Sequence, residues 1–232
     1  MRFLIGAASS NSGKTTLSIG LMRALCNRKM TVQPFKCGPD YIDTMFHHLS
    51  TGHESVNLDT FMSSPQHVKH LFNHYGKDCD IRIVEGVMGL FDGHSQWMGS
   101  SAEIAMILDL PVVLVVNAKS TAYSVAPLIH GFKTFIPRAT ENTTQPKPFK
   151  LAGVVFNRVA SDNHFQMLRS ACEDAGADCL GYIRNNPDLV IPQRHLGLSI
   201  LEQEKMERLI SLAAEEVEAT INIDKLLEQT KQ

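Results

Sequence analysis

Gly6-Ala7-Ala8-Ser9-Ser10-Asn11-Ser12-Gly13-Lys14-Thr15-Thr16, which follows a short apolar run at residues 3–5, decides how the chain reads. A Gly-Lys-Thr at a strand-to-helix junction sets backbone N–H groups, an ammonium and a hydroxyl around one polyphosphate. Ser10, Asn11, Ser12, Gly13 and Thr16 would build the cradle, Lys14 reach the outer phosphates, and Thr15 offer its oxygen to Mg2+. The flanks agree: residues 2–5 read as a buried strand, and Leu17, Leu21 and Leu25 recur as one helix face. The loop departs from G-x4-GK[ST] because Ala8 occupies the position of the first glycine, while Gly6 lies two residues earlier. A plain glycine turn ahead of a helix does not call for Lys-Thr-Thr; a nucleoside triphosphate site does.

Further along, β-branched apolar runs recur at residues 32–35, 81–84, 112–116, 151–156 and 179–183. Several are continuous rather than alternating, as strands covered on both faces require. Amphipathic stretches lie between them. Ser100-x-x-Glu103 opens one as a capping box that must stop near Pro111, and Phe165, Leu168, Cys172 and Ala175 mark another ended by Gly176. The alternation predicts an α/β fold with a doubly wound, mostly parallel sheet. A polar, proline-bearing segment at residues 137–150 reads as a surface loop. Residues 201–217 and the surroundings of Leu226-Leu227 read as a helical tail, either packed on the 1–200 domain or leading to another.

With 232 residues, one such domain and a short tail are expected. The net charge of −2 builds no broad basic surface, which argues against a nucleic-acid partner. The N-terminus runs straight into strand and loop, and the longest apolar run, residues 110–116, is too short to span a bilayer. A cytoplasmic protein without a membrane association is expected. Five cysteines, an odd number with no C-x-x-C pair, fit reduced thiols. The histidines, including His47, His48, His53, His67 and His70, lack zinc-site spacing and read as solvated or hydrogen-bonded.

In open parallel sheets, ligands gather at the carboxyl ends of the strands. After residues 32–35 come Lys36-Cys37-Gly38-Pro39-Asp40-Tyr41-Ile42-Asp43, with two carboxylates three residues apart. After 81–84 comes Glu85-Gly86-Val87-Met88-Gly89-Leu90-Phe91-Asp92-Gly93, with Glu85 in the place of a Walker-B acid. Thr15, Glu85 and one of Asp40 or Asp43 would satisfy Mg2+, the spacing leaving open which. The alternative for Asp40 and Asp43 is a helix cap. Asp92 lies farther along the glycine loop, better placed for substrate than for metal.

With these segments in order, the chain resembles the cobyrinic acid a,c-diamide synthase family, and more distantly dethiobiotin synthetase. The resemblance is carried by Ser10 to Thr16, by Gln33-Pro34-Phe35-Lys36-Cys37-Gly38-Pro39-Asp40-Tyr41-Ile42-Asp43 and by Asn57-Leu58-Asp59-Thr60-Phe61-Met62. It continues through Val84 to Gly93, Gly153-Val154-Val155-Phe156-Asn157-Arg158-Val159 and Ile191-Pro192-Gln193-Arg194-His195-Leu196-Gly197-Leu198. It implies a P-loop, dethiobiotin-synthetase-like domain that uses ATP and Mg2+ to amidate the a- and c-acetates of a corrinoid. The γ-phosphoryl group passes to a carboxylate and ammonia attacks the acyl phosphate. It further implies Lys36, Asp40, Glu85 and Asp92 as catalytic, and Asn157 with Arg158 at the nucleotide base, where Asn157 reads equally as a turn former. Tyr41, Asp43, Arg194 and His195 face the substrate on this view, Arg194 and His195 reading equally as surface.

Three departures from the family stand out. Ala7 replaces a usual loop glycine, and Asn117 replaces a frequent aspartate. No glutaminase domain with a cysteine nucleophile is seen, so ammonia would come from another domain or subunit; a homodimer is compatible. Competing readings are amidation of another tetrapyrrole such as nickel sirohydrochlorin, a non-catalytic nucleotide-binding module, and a ParA/MinD-like switch. The last requires a signature lysine where this chain has Ser9.

Overall fold

The computed structural model describes residues 1–139, 146–191 and 200–231. Strands β1 (Arg2–Ala7), β2 (Val32–Cys37), β3 (Val56–Leu58), β4 (Ile81–Glu85), β5 (Val112–Asn117), β6 (Leu151–Val159) and β7 (Cys179–Arg184) form one sheet. Its order is β3-β2-β4-β1-β5-β6-β7, and every pairing is parallel. The doubly wound α/β architecture expected from the alternation is therefore present.

The continuous apolar runs follow from coverage on both faces. Val113 and Val115 of β5 pack with α1 (Lys14–Asn27), α2 (Ile42–Thr51), α7 (Ile200–Thr220) and α8 (Ile223–Gln229). Val112, Leu114 and Val116 pack with α3 (Pro65–Gly76), α4 (Ser101–Leu108), α5 (Val125–Thr134) and α6 (Asp162–Asp174). Strand period 2 sends successive side chains into opposite layers, so neither face can be polar.

One strand escaped the sequence pattern. β3 is three residues long with Asn57 at its centre, too short for a periodicity, and it exists because Phe35 to Cys37 of β2 supply its partners. The capping box of α4 closes differently from expectation. Ser100 Oγ accepts from the Glu103 N–H at 3.3 Å, but the Glu103 carboxylate takes the Gly99 N–H at 2.7 Å, one residue early. It also accepts from Thr60 Oγ1 at 2.5 Å, which ties the loop after β3 to the loop after β4. Asp109, at φ 51, ends α4 ahead of Pro111.

Helices α7 and α8 share the core of α1: Ile210, Ala213, Val217 and Leu226 are buried against Leu17, Leu21 and Leu25. Gly20 permits the close crossing, since a Cβ there would lie 2.7 Å from the Ala213 carbonyl oxygen. Of the segment 137–150, residues 140–145 lie outside the described residues.

The chain starts at β1, builds β2 and β3 to one side, returns for β4, then adds β5 to β7 on the other side. This reversal of direction opens a crevice at the carboxyl edge of the central strands.

Candidate active site

The phosphate loop bridges β1 and α1 at that reversal. α1 begins at Lys14 behind Gly13 (φ 93), with no side-chain cap and no acid in its first turn. Its leading N–H groups are left to an anion, which the helix dipole also favours. The Lys14 side chain folds back to donate to the Met88 carbonyl, and Met88 itself holds a left-handed φ of 47. Burial pushes the Lys14 ammonium below the usual lysine range, while Glu85 pulls the other way. A buried ammonium of this kind gains from an incoming phosphate.

A cavity of about 780 Å3 opens above the loop. Ser10, Asn11, Gly13, Lys14, Thr15 and Thr16 form one wall, and Lys36, Asp40, Asp43 and Glu85 another. Gly86, Val87, Met88, Asn157, Arg158, residues 183–186 and residues 189–191 complete it. Sequence segments from Ser10 to Ile191 thus meet around one space.

At its floor stands a compact charge cluster. Lys36, only 2% exposed, has its Nζ 3.7 Å from Asp40 Oδ2 and 3.8 Å from Asp43 Oδ2, and donates to the Cys37 and Gly86 carbonyls. Asp40 also caps α2, its Oδ1 accepting the Ile42 and Asp43 N–H groups at 2.9 and 3.0 Å. Burial would raise the Asp40 carboxyl, but those N–H groups and the Lys36 charge outweigh it and hold it below the ordinary range. Asp40 thus caps α2 through one oxygen while the other faces Lys36.

Glu85 ends β4 and is 1% exposed. Its Oε1 accepts from the Thr15 hydroxyl at 2.7 Å and its Oε2 lies 2.7 Å from His47 Nε2. Burial pushes this carboxyl up, yet His47, Lys36 and Thr15 together bring it down to about 2.

Other expected residues are placed differently. Ser12 lies behind the loop, its hydroxyl donating to the Ser9 carbonyl at 2.8 Å. Asn157 Nδ2 donates to the Ser12 carbonyl at 2.9 Å and its Oδ1 accepts the Arg158 N–H, so its amide supports the loop. Asn157 lies within β6 rather than after it, beside the irregularity where Arg158 takes φ 61. Asp92 accepts the Gly89 N–H at 3.0 Å and closes a turn outside the cavity lining, and Tyr41 is largely exposed outside it too. Asn117 turns its Oδ1 to the Lys119 N–H, and Ala7 is buried inside β1. Arg194 and His195 lie outside the described residues.

Three contributors were missed in the sequence: His47, the Met88 carbonyl, and the wall at residues 183–191. Only His47 left a signal there, standing four residues after Asp43 and so on the same face of α2. Among the described residues no helix is long and apolar enough to cross a membrane.

Known proteins resemble this chain closely. Cobyrinate a,c-diamide synthase of Listeria innocua is 42% identical over 237 residues, covering 99% of this chain and 50% of that protein. Hydrogenobyrinate a,c-diamide synthase of Streptomyces coelicolor is 43% identical over 215 residues, covering 92% and 42%. Cobyrinate a,c-diamide synthase of Dehalococcoides mccartyi is 42% identical, covering 98% and 48%. The chain spans about half the length of the curated relatives it matches. The resemblance drawn from the motifs is borne out by these relatives. The family model for the CobQ/CobB/MinD/ParA nucleotide binding domain matches residues 3–198, with the phosphate loop near its start, and the chain belongs to that family.

Proposed function

We propose that this chain binds ATP with Mg2+ and activates the a- and c-acetate carboxylates of a corrinoid for amidation, as the names of its relatives suggest for them. The observation that carries this is the placement of Lys36. A second buried ammonium, flanked by Asp40 and Asp43, lines the same cavity as the phosphate-loop Lys14. A nucleotide site alone needs one lysine. Transfer of a phosphoryl group to a carboxylate brings two anions together, and a second cation answers that demand.

Thr15 and Asp43 are hard oxygen donors on facing walls of the cavity, a pair that fits Mg2+, with the Glu85 carboxylate holding the Thr15 hydroxyl and Asp40 Oδ1 capping α2. Bound there, Mg2+ would supply charge neutralisation to the phosphates. Lys14 leaves the Met88 carbonyl to take the outer phosphates, and the first turn of α1 holds them. Lys36 steadies the substrate carboxylate against the terminal phosphoryl group. That group moves to a carboxylate oxygen as ADP departs; ammonia then forms the C–N bond and releases phosphate. The wall at Arg158 and residues 183–191, with apolar Leu189 and Val190, suits the nucleotide base, while Asn157 braces the loop. The ammonia would be supplied by a glutaminase domain or subunit.

The test is incubation of the chain with ATP, Mg2+, ammonium and cobyrinic acid, followed by mass spectrometry. Two carboxylates converted to amides are expected. Parallel arms with hydrogenobyrinic acid and nickel sirohydrochlorin identify the macrocycle. Nucleotide binding without amidation of any of the three would overturn the proposal.

A further inference from the structure

We propose that His47 is a positioning residue that locks the Glu85 carboxylate, so that Thr15 turns its oxygen towards the metal ion accompanying the nucleotide. This rests on the Mg2+ reading of the site. His47 is fully buried, with Nε2 at 2.7 Å from Glu85 Oε2 and Nδ1 at 2.9 Å from Ser55 Oγ. Glu85 Oε1 is taken by the Thr15 hydroxyl at 2.7 Å. The result is a chain of three hydrogen bonds, Ser55–His47–Glu85–Thr15, that runs from the residue before β3 through α2 and β4 to α1.

Each link has a physical consequence. The terminal torsion of a glutamate is soft, so a carboxylate held at one oxygen can swing. Held at both, it cannot. The Thr15 hydroxyl carries one proton; donated to Glu85, it leaves the oxygen lone pairs facing away from that carboxylate. Ser55 can donate or accept, so it fixes the ring in either tautomer. A fully buried imidazole costs more to desolvate than an apolar side chain would, and its two hydrogen bonds are what offset that cost. His47 also stands one turn after Asp43, so a single face of α2 contacts both Lys36 and Glu85. Partners that orient groups around a metal are typically worth about 10–100-fold in metal affinity.

The experiment is calorimetric titration of the chain with ADP, with and without Mg2+, for wild type, His47→Leu, His47→Gln and Ser55→Ala. The gain in ADP affinity on adding Mg2+ should fall about 10-fold or more in His47→Leu, with metal-free ADP binding unchanged. His47→Gln, whose side-chain nitrogen can still reach Glu85, should retain most of the gain, and Ser55→Ala should lose an intermediate part. A full gain in His47→Leu, or equal loss in His47→Gln, would overturn the assignment. If His47→Leu does not fold, a full gain in Ser55→Ala together with none in His47→Gln overturns it instead. A wild-type chain indifferent to Mg2+ would remove the metal reading, and this inference with it.

Discussion

Asn157 lies across Gly13 so closely that a Cβ on Gly13 would fall 1.9 Å from Asn157 Nδ2. The same nitrogen holds the Ser12 carbonyl at 2.9 Å, so β6 braces the phosphate loop from outside.

Gly13→Ala therefore meets two obstacles, a left-handed φ of 93 and a collision with Asn157. Backbone strain alone costs about 1–3 kcal/mol. ADP affinity in calorimetry should fall at least about tenfold, which 1.4 kcal/mol already produces. Shortening the neighbour as well, in Gly13→Ala with Asn157→Gly, should recover only part of it, because the φ strain remains. Wild-type affinity in the single variant would show that the loop tolerates a side chain here.

Lys36→Met removes the cation between Asp40 and Asp43. Losing one partner of a buried ion pair costs about 3–5 kcal/mol, and less here because the Asp40 side chain keeps 20% exposure. The variant should melt lower, bind ADP as wild type does, and form no amide. Unchanged turnover would take Lys36 out of the chemistry.

Glu85 has a carboxyl held at about 2 in the folded chain against an ordinary 4.5. A depressed carboxyl stabilises above its unfolded value and loses that contribution as pH falls towards its folded value. The stability advantage of wild type over Glu85→Gln should thus shrink steadily as pH falls below about 5. Thermal melts of the ligand-free chain across that window give the answer; an advantage that grows on acidification would contradict the assigned shift.

Gly20→Val tests the union of α1 with the last helices. Its side chain would run into the Ala213 carbonyl and Val217. Overpacking of this kind costs about 1–3 kcal/mol. The melting temperature should fall while ADP affinity at the remote loop holds, and an unchanged melt would mean that α7 can shift away freely.

Legibility followed how local each signal was. Residues 9–16 and Glu85 announced themselves because chain neighbours define them: glycine before lysine, carboxylate after a buried strand; Lys36 entered only through the family resemblance. β3 did not, because three residues with a central Asn57 carry no period and depend on β2 for their hydrogen bonds. His47 was read among histidines without a metal pattern, since nothing in its neighbours points to Glu85, 38 positions away. Asp92 stood in a promising loop, yet its carboxylate closes the turn at Gly89.

By itself the sequence determined the parallel α/β fold and the polyphosphate loop, because periodicity and loop chemistry are properties of neighbouring residues. Tertiary structure alone decided that Lys36 shares a cavity with Lys14, that Asn157 supports the loop, and that His47 holds Glu85. Those contacts are set by strand order and helix packing, which bring distant residues within hydrogen-bond reach and exclude the water that would otherwise satisfy them.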